Sequence, residues 1–319
     1  MGPSTALVID CDPGIDDAVA LALAVGSPEV ELRQVTTVSG NSPVDVTTRN
    51  ALQLLDAFGR QDVPVAAGAS RALVRVGWHG LPSPHGENGL GRVRLDRETR
   101  LAEPVHAVDR LADLLRRAAP RSVVVAAIGP LTNLALLLAL HPECAGGIDR
   151  LVVMGGSTGP GNITASAEFN LWTDPEAAQR VLTDSGLDVT LVGLDVTRRA
   201  TVDPAMLEAL RAASERGRLL ADMIVGYRDR RAGAWAMHDV LALAAVVDPT
   251  LVSTRPAEVE VDTGSGPERG RTRCTFLDED AGSPPPSPAG FVRTTTRCRV
   301  AVDLDVARFR ELLLERVTG

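Results

Sequence analysis

The sequence predicts an α/β fold: a single domain, spanning residues 1–319, with an open, mostly parallel, Rossmann-like sheet and helices on both faces. Short apolar runs of strand type alternate with helical patterns over the first two thirds of the chain, which is typical of a doubly wound sheet. Strand patterns without intervening helices follow in the last third, so we expect a small C-terminal antiparallel extension. The 319 residues are 45% hydrophobic, enough to bury a large core.

The composition of the chain argues against several classes of partner, site and mechanism. The net charge is −8, with acidic and basic residues mixed along the chain, which argues against a nucleic-acid partner. No apolar run is long enough to span a membrane and the start carries no basic signal region, so we expect a cytoplasmic protein. The four cysteines lie far apart without CxxC spacing, which favours neither a disulfide framework nor a zinc site. The chain has no lysine, so no mechanism can use a lysine amine.

The first strand and helix frame the most unusual stretch of the sequence. Residues 6–9 are the apolar run of a buried strand, and residues 18–25 are an Ala/Leu/Val run best satisfied by a buried helix. Pro13-Gly14 makes the connection tight, so it lies at the carboxyl edge of the sheet, where open α/β sheets bind ligands. The eight residues from 10 to 17, which include this turn, contain four carboxylates: Asp10, Asp12, Asp16 and Asp17.

These carboxylates indicate a cation site. They repel each other unless a cation or shared protons offset the charge. A helix N-terminus favours a carboxylate by only about 0.3–1 kcal/mol, too little for all four. A hard, oxygen-seeking ion such as Ca²⁺ or Mg²⁺ is the economical hypothesis. The alternative is an acidic helix cap beside a solvated turn.

The remaining elements follow in order along the chain. Strands are predicted at residues 31–38, 63–67, 123–128, 151–154, 189–193, 258–263, 272–277 and 299–302. Helices are predicted at residues 44–58, 105–118, 133–141, 175–185 with Asp174 as N-cap, 204–231 with breaks near Gly226 and Gly233, 240–247 and 306–317. Flexible loops are expected near residues 70–100 and 278–291, and residues 85–91 in the first have the composition of an active-site flap.

Seven motifs resemble, in order and spacing, the inosine-uridine preferring nucleoside hydrolases, over about residues 5–317. They are Asp10-Cys11-Asp12-Pro13-Gly14-Ile15-Asp16-Asp17-Ala18, Gly40-Asn41, His85-Gly86, Gly129-Pro130-Leu131-Thr132-Asn133, Met154-Gly155-Gly156, Glu168-Phe169-Asn170 and His238-Asp239. The resemblance implies hydrolysis of ribonucleosides to free base and ribose by a Ca²⁺-bound water that Asp12 activates. It also implies a role in nucleoside catabolism and purine or pyrimidine salvage, and a homodimer or homotetramer.

The resemblance assigns the cation site residue by residue. It implies that Ca²⁺ is held by the carboxylates of Asp12, Asp17 and Asp239 and by the main-chain carbonyl of Ile128. The family often has Thr where this chain has Ile128, but the ligand is a main-chain oxygen, so the difference should not matter. Asp12 is also implied to be the general base.

The resemblance also assigns the substrate contacts. Asp16 and Asn170 are implied to hold ribose hydroxyls, and Asn41 to orient the water and the 2′/3′ side of the sugar. Asn162 and Glu168 are implied to bind the region of the 5′ hydroxyl.

Two histidines are implied to act on the base. His238 matches the histidine proposed to protonate the leaving base, and His85 lies where a base-contacting histidine is found. The segment before His238 is short and differs from the common family pattern. Base preference should depend on loop geometry around His85, Tyr227 and Trp235, and Trp235 fits a pocket wall and a core position equally well.

The residue types fit this chemistry on their own terms. Cleavage of an N-glycosidic bond passes through an oxocarbenium-like ribosyl cation, which anionic and carbonyl groups stabilise. A metal ion lowers the pKa of its water, and a carboxylate can then take the proton. An imidazole is suited to protonate the leaving base near neutral pH.

Two other functions stay open at this stage. A strand followed by Asp10-x-Asp12 resembles the nucleophile motif of haloacid-dehalogenase-like phosphatases, but their DGT turn is replaced by Pro13-Gly14 and their usual lysine is missing. A Ca²⁺-dependent nucleoside- or ribose-binding protein without turnover is the second alternative. The presence of both Asp12 and His238 favours turnover, because binding alone needs neither a base nor an acid.

Overall fold

A large mixed sheet forms the centre of the molecule. The computed structural model describes residues 4–75, 83–95, 100–278 and 296–318. The nine strands of the sheet are β1 (Thr5–Cys11), β2 (Val30–Thr37), β3 (Val65–Ala67), β4 (Val123–Ala127), β5 (Ile148–Met154), β6 (Asp188–Val192), β10 (Val252–Val261), β11 (Thr272–Phe276) and β12 (Arg297–Leu304). Their spatial order is β11-β10-β12-β6-β5-β4-β1-β2-β3.

Strand direction confirms the predicted fold class. All neighbours from β12 through β6, β5, β4, β1 and β2 to β3 are parallel. Among the described strands of this sheet, only β10 and β11 run antiparallel to their neighbours, at the edge built from the C-terminal third. The sheet is therefore mostly parallel with a C-terminal antiparallel extension.

Helices cover both faces of the sheet. They are α1 (Ile15–Val25), α2 (Val44–Ala57), α3 (Ala107–Arg117), α4 (Thr132–Leu140), α5 (Phe169–Thr173), α6 (Pro175–Asp184), α7 (Leu194–Thr197), α8 (Pro204–Ala213), α9 (Glu215–Gly226), α10 (His238–Val247) and α11 (Val306–Thr318). Successive side chains of a strand point to opposite faces. Leu7 and Ile9 of β1 accordingly pack with α1, α2 and α8 to α11, whereas Val8 packs with α3, α4 and α6.

The two helices that carry Asp16, Asp17, His238 and Asp239 are the most buried ones. In α1 every residue from Ile15 to Ala24 is buried, and in α10 every residue from His238 to Val246 is buried. Helix α1 packs against α10, α9 and α11. A helix that is apolar all round has to be enclosed in this way, and the enclosure fixes the helix N-termini at the edge of the sheet.

The prediction of one helical segment up to Gly226 is wrong. Ser214 adopts an extended conformation, ends α8, and accepts a hydrogen bond from the Gly217 N–H as the N-cap of α9. After Gly226 the chain forms β8 (Arg230–Arg231) and β9 (Ala234–Ala236), which make a small antiparallel sheet with β7 (Thr201–Val202). Strands of two or three residues are too short for an alternating pattern to reveal.

The predicted flexible loops lie partly outside the described residues. This applies to residues 76–82 and 96–99 of the first loop and to residues 279–291 of the second. Among the helices that the structure describes, none combines the length and the apolar character needed to cross a membrane.

Candidate active site

Asp12, directly after β1, is held in one orientation. Its side chain is buried. The backbone N–H of Asn41, in the segment after β2, donates a hydrogen bond of 2.6 Å to Asp12 Oδ2. The other oxygen, Oδ1, is buried without a hydrogen-bond partner in the described structure. Asp12 therefore presents one carboxylate oxygen that is free to contact a ligand.

Three more buried carboxylates lie beside Asp12. Ligand atoms of Asp16, Asp17 and Asp239 all fall within 4.8 Å of one another. Asp16 and Asp17 come from the first turn of α1 and Asp239 from the first turn of α10. Asp17 accepts hydrogen bonds from the backbone N–H groups of Gly14, at 2.8 Å, and Asp12, at 3.3 Å.

Burial and repulsion between neighbouring carboxylates disfavour the ionised forms of Asp12, Asp17 and Asp239. Burial, followed by the charge of Asp17, raises the pKa of Asp12 well above its usual range. Burial and the neighbouring Asp16 raise the pKa of Asp17 to about 7. Burial and the charges of Asp16, Asp17 and Asp12 raise the pKa of Asp239. Protons or a cation must offset this charge, because desolvated carboxylates cannot all stay ionised side by side.

The donor set fits a hard divalent cation. Asp16 Oδ1, like Asp12 Oδ1, is buried without a hydrogen-bond partner in the described structure. Ile128 lines the same cavity as Asp16 and Asp239. Its carbonyl oxygen accepts one hydrogen bond, of 2.9 Å, from Asn170 Nδ2, so its second lone pair remains for a cation. Carboxylate and carbonyl oxygens are the ligands that Ca²⁺ and Mg²⁺ prefer. The cluster could therefore hold a metal ion.

The structure groups the expected carboxylate ligands of the cation with two differences. It brings Asp17 and Asp239 together as expected and adds Asp16 to them. Asp12 lies next to this group, bonded through its N–H to Asp17 Oδ1, and is outside the set of three whose ligand atoms fall within 4.8 Å.

A cavity of about 520 Å³ opens above the carboxylates. The predicted substrate-binding residues all line it: Asp16, Asn41, His85, Asn162, Glu168 and Asn170. Ile128, His238 and Asp239 reach it as well. Asp12 and Asp17 are not among the residues that line it. The other residues of the site predicted from the sequence thus share one cavity.

Glu168 and its neighbours shape one side of the cavity. Glu168 Oε1 accepts from the N–H of Asn170, and Oε2 accepts from those of Gly156 and Leu171, at 2.9–3.1 Å. It is thus the N-cap of α5, a helix that the sequence analysis did not predict. Asn162 Oδ1 accepts from the Phe169 N–H at 2.9 Å. Burial raises the pKa of Glu168.

His85 and Tyr227 form an aromatic wall. Their ring centroids are 4.8 Å apart and the rings are stacked. His85 Nδ1 accepts a hydrogen bond of 3.0 Å from the Ile15 N–H at the start of α1, so the ring hydrogen of a neutral His85 is on Nε2. Burial lowers the pKa of His85. Trp235 does not contribute to this wall, since it packs in the core with the Arg230 guanidinium 4.6 Å from its ring centroid.

His238, the first residue of α10, has a partner at each ring nitrogen. Its Nδ1 lies 2.7 Å from Thr197 Oγ1, at the end of α7. Its Nε2 lies 3.0 Å from Asp229 Oδ2, between α9 and β8. Sequence reasoning missed both partners. Thr197 and Asp229 lie 41 and 9 residues away from His238, in segments without a motif.

Comparison with known proteins identifies the family. The sequence model described as "Inosine-uridine preferring nucleoside hydrolase" matches residues 7–311. The chain belongs to this family. It is 41% identical over 310 residues to the non-specific ribonucleoside hydrolase RihC of Escherichia coli O1:K1 / APEC, covering 97% of each chain. As a nucleoside hydrolase, the chain is an enzyme that cleaves N-glycosidic bonds, which removes the phosphatase alternative.

Solved nucleoside hydrolases have the same fold. A plant nucleoside hydrolase, the PpNRh1 enzyme, superposes with a TM-score of 0.91 at 32% identity, over 99% of this chain and 100% of that one. The purine-preferring ribonucleoside hydrolase from Gardnerella vaginalis superposes with a TM-score of 0.87 at 36% identity, over 98% of both chains. The architecture described above is therefore that of the nucleoside hydrolases.

Proposed function

We propose that the chain hydrolyses ribonucleosides to ribose and free base in the cavity, with Asp12 as the general base. The observation that carries the proposal is the Asp12 carboxylate, fixed at Oδ2 by the Asn41 N–H and free of partners at Oδ1. A buried carboxylate with one free oxygen can take a proton from an attacking water.

The carboxylates are placed to stabilise the positive charge that develops on the ribosyl group in the transition state. Positive charge develops on the sugar as the N-glycosidic bond breaks. Asp16 lines the cavity. A carboxylate oxygen of Asp17 lies within 4.8 Å of a carboxylate oxygen of Asp16. Negative groups placed in advance at the site of developing positive charge lower the barrier without reorganisation during the reaction.

We propose Ca²⁺ as the resident cation, with Asp12, Asp17, Asp239 and the Ile128 carbonyl as the residues that would hold it. When bound, it would lower the pKa of a coordinated water and attract the ribose diol. Asp16 and Asn170 are proposed to orient the ribose hydroxyls, with Asn41 on the 2′/3′ side. The unpartnered oxygens of Asp12 and Asp16 support this arrangement.

Glu168 and Asn162 are proposed to bind near the 5′ hydroxyl. Both line the cavity. Each already accepts backbone hydrogen bonds, and a carboxylate or amide oxygen with a remaining lone pair can accept one from a hydroxyl as well.

His238 and His85 are proposed to act on the leaving base. His238 would donate a proton to the departing nitrogen, and His85, with hydrogen on Nε2, would donate a hydrogen bond to the base. The stacked His85 and Tyr227 rings offer a flat surface that suits purines and pyrimidines alike. The similarity to the non-specific hydrolase RihC supports a substrate range that includes inosine, uridine, cytidine and adenosine.

A reducing-sugar assay tests the proposal. Ribose release is measured from inosine, uridine, cytidine and adenosine before chelation, after chelation, and after Ca²⁺ is added back. We expect release that chelation removes and Ca²⁺ restores, and none from Asp12→Ala. Asp222→Ala is the matched control, because Asp222 is an exposed carboxylate on α9 that pairs with Arg211. Nucleoside binding without ribose release in the unmodified enzyme would instead establish a binding protein.

We further propose a cytoplasmic homodimer or homotetramer that serves nucleoside catabolism and salvage. Light scattering of the purified protein measures the assembly, and a monomer at micromolar concentration would contradict it.

A further inference from the structure

His238 is held from two sides by residues that no motif contains. Its side chain is 7% exposed. Thr197 Oγ1 lies 2.7 Å from Nδ1, and Asp229 Oδ2 lies 3.0 Å from Nε2. Rotation of the imidazole about its Cβ–Cγ bond would break both contacts, so three separate segments fix the ring: the end of α7, the start of α10 and the chain between α9 and β8.

The chemistry of the two partners fixes the hydrogen as well as the ring. An ionised carboxylate can only accept a hydrogen bond, so Nε2 carries a hydrogen directed at Asp229. Nδ1 of the neutral ring then accepts from the Thr197 hydroxyl. A hydroxyl can also accept, so the same two contacts persist in the imidazolium, in which both nitrogens donate.

The contact between His238 Nε2 and Asp229 joins two residues of the cavity lining. Both His238 and Asp229 line the cavity, as does Tyr227 in the same segment as Asp229. The Arg228 N–H donates a hydrogen bond of 3.0 Å to the Pro84 carbonyl, which ties this segment to the one that carries His85. The Asp229 contact therefore lies in the part of the cavity lining that also carries His85 and Tyr227.

We propose that Asp229 is a positioning residue for His238: it holds the Nε2 hydrogen at the cavity wall, in the orientation from which His238 acts on the leaving base. This inference rests on the proposed function. Asp229 acts through His238, so its effect should depend on how much the leaving group needs a proton. A carboxylate that only stabilised the fold would affect all substrates alike.

The test compares Asp229→Ala with Asp222→Ala, on inosine and on p-nitrophenyl riboside. Nitrophenolate is a stable anion and leaves without a proton, whereas hypoxanthine needs a proton in order to leave. We expect Asp229→Ala to lower kcat for inosine about tenfold or more, a part of what general acid catalysis contributes, and to change kcat for p-nitrophenyl riboside less than about twofold. In a His238→Ala background, adding Asp229→Ala should change neither rate by more than about twofold. Asp222→Ala should change neither substrate's rate.

Equal losses on both substrates, or the same loss with His238 absent, would overturn the proposal. A second measurement does not depend on turnover: ¹⁵N spectra of the imidazoles, with His238→Ala identifying the His238 signals. We expect the Nε2–H tautomer in the unmodified enzyme and a mixture of tautomers in Asp229→Ala. An Nδ1–H tautomer in the unmodified enzyme contradicts the positioning role even if no nucleoside is hydrolysed, so this failure is distinct from failure of the proposed function.

Discussion

Gly40 lies so close to Asp12 that a β-carbon on this glycine would come within 2.1 Å of Asp12 Oδ2. A β-carbon on Gly129, in the turn after β4, would come within 2.6 Å of Asp12 Oδ1. Neither glycine has a positive φ, so the requirement is for space and not for an unusual backbone conformation. The Gly40-Asn41 and Gly129-Pro130 pairs thus enclose the proposed general base.

We predict that Gly40→Ala and Gly129→Ala each lower kcat about a hundredfold, because the added methyl must displace the Asp12 carboxylate by about 1 Å. Circular dichroism should show that both variants stay folded. Gly146→Ala is the control, since a β-carbon on Gly146 meets nothing within 4 Å, and its kcat should stay within about twofold. Full activity in Gly40→Ala would mean that Asp12 is not held where the structure places it.

The buried carboxylates predict opposite effects of one substitution on stability and activity. Burial, the charges of Asp16, Asp17 and Asp12, and a hydrogen bond with Asp17 all disfavour the ionised form of Asp239. We therefore expect Asp239→Asn to raise the melting temperature of the chelated protein, because a neutral amide avoids the free energy that this carboxyl costs in the folded state, and to abolish ribose release.

Calcium titration of the melting temperature completes this prediction. A ligand present at a hundred times its Kd stabilises the folded state by about 2.7 kcal/mol, so Ca²⁺ should raise the melting temperature of the unmodified enzyme. The shift should be lost in Asp239→Asn and kept in Asp222→Asn, since the exposed Asp222 carboxylate pairs with Arg211 and is not part of the cluster. An equal Ca²⁺ shift in all three proteins would place the cation elsewhere.

The sequence was sufficient for the sheet and for the carboxylate cluster. Short, fully apolar runs rich in β-branched residues mark buried strands such as β4 and the end of β5. The cluster could be predicted because Asp12, Asp16 and Asp17 lie close together in the sequence. Their charges repel each other, and a bound cation would offset this repulsion. Asp239 could be assigned only through the family resemblance, since Asp before an apolar helix is ordinarily its cap.

Side-chain contacts between distant segments could not be predicted. Nothing local marks Thr197 or Asp229 as partners of His238, and the small sheet that brings Asp229 into place has strands of two or three residues. The same limit applies to the scarce aromatics. Sequence alone left Trp235 equally suited to the pocket and the core, and only the packing shows that Tyr227 takes the place against His85.

The His85–Tyr227 stack predicts a difference between two substitutions. The Tyr227 hydroxyl is 3.5 Å from Asp16 Oδ2, at the limit of a hydrogen bond. Tyr227→Phe keeps the ring, so KM for inosine should change less than about threefold. Tyr227→Ala removes a contact worth about 0.5–1.5 kcal/mol and frees His85, so KM should rise about tenfold with a smaller change in kcat. Initial-rate kinetics decide, and equal effects of the two variants would show that the ring is not the important part.

Two aspartate N-caps, one buried and one at the surface, allow the effect of burial on the free energy of unfolding to be compared. Asp174 and Asp203 are the N-caps of α6 and α8, and each precedes a proline. Asp203 accepts from the Met206 N–H and from Arg310 at the surface. Asp174 is fully buried and accepts from the Ala177 N–H and also from the Thr132 hydroxyl and the Leu73 N–H.

Asp203→Ala should therefore lower the free energy of unfolding by about 1 kcal/mol, the usual value of a cap. Asp174→Ala should lower it by about 3 kcal/mol, because the buried Thr132 hydroxyl also loses its acceptor. Thr132 begins α4 directly after the Gly129-Pro130 turn that encloses Asp12, so Asp174 connects the stability of α6 to the shape of the active site. Urea unfolding of both variants measures the difference, and equal losses would show that Thr132 finds another partner once Asp174 is gone.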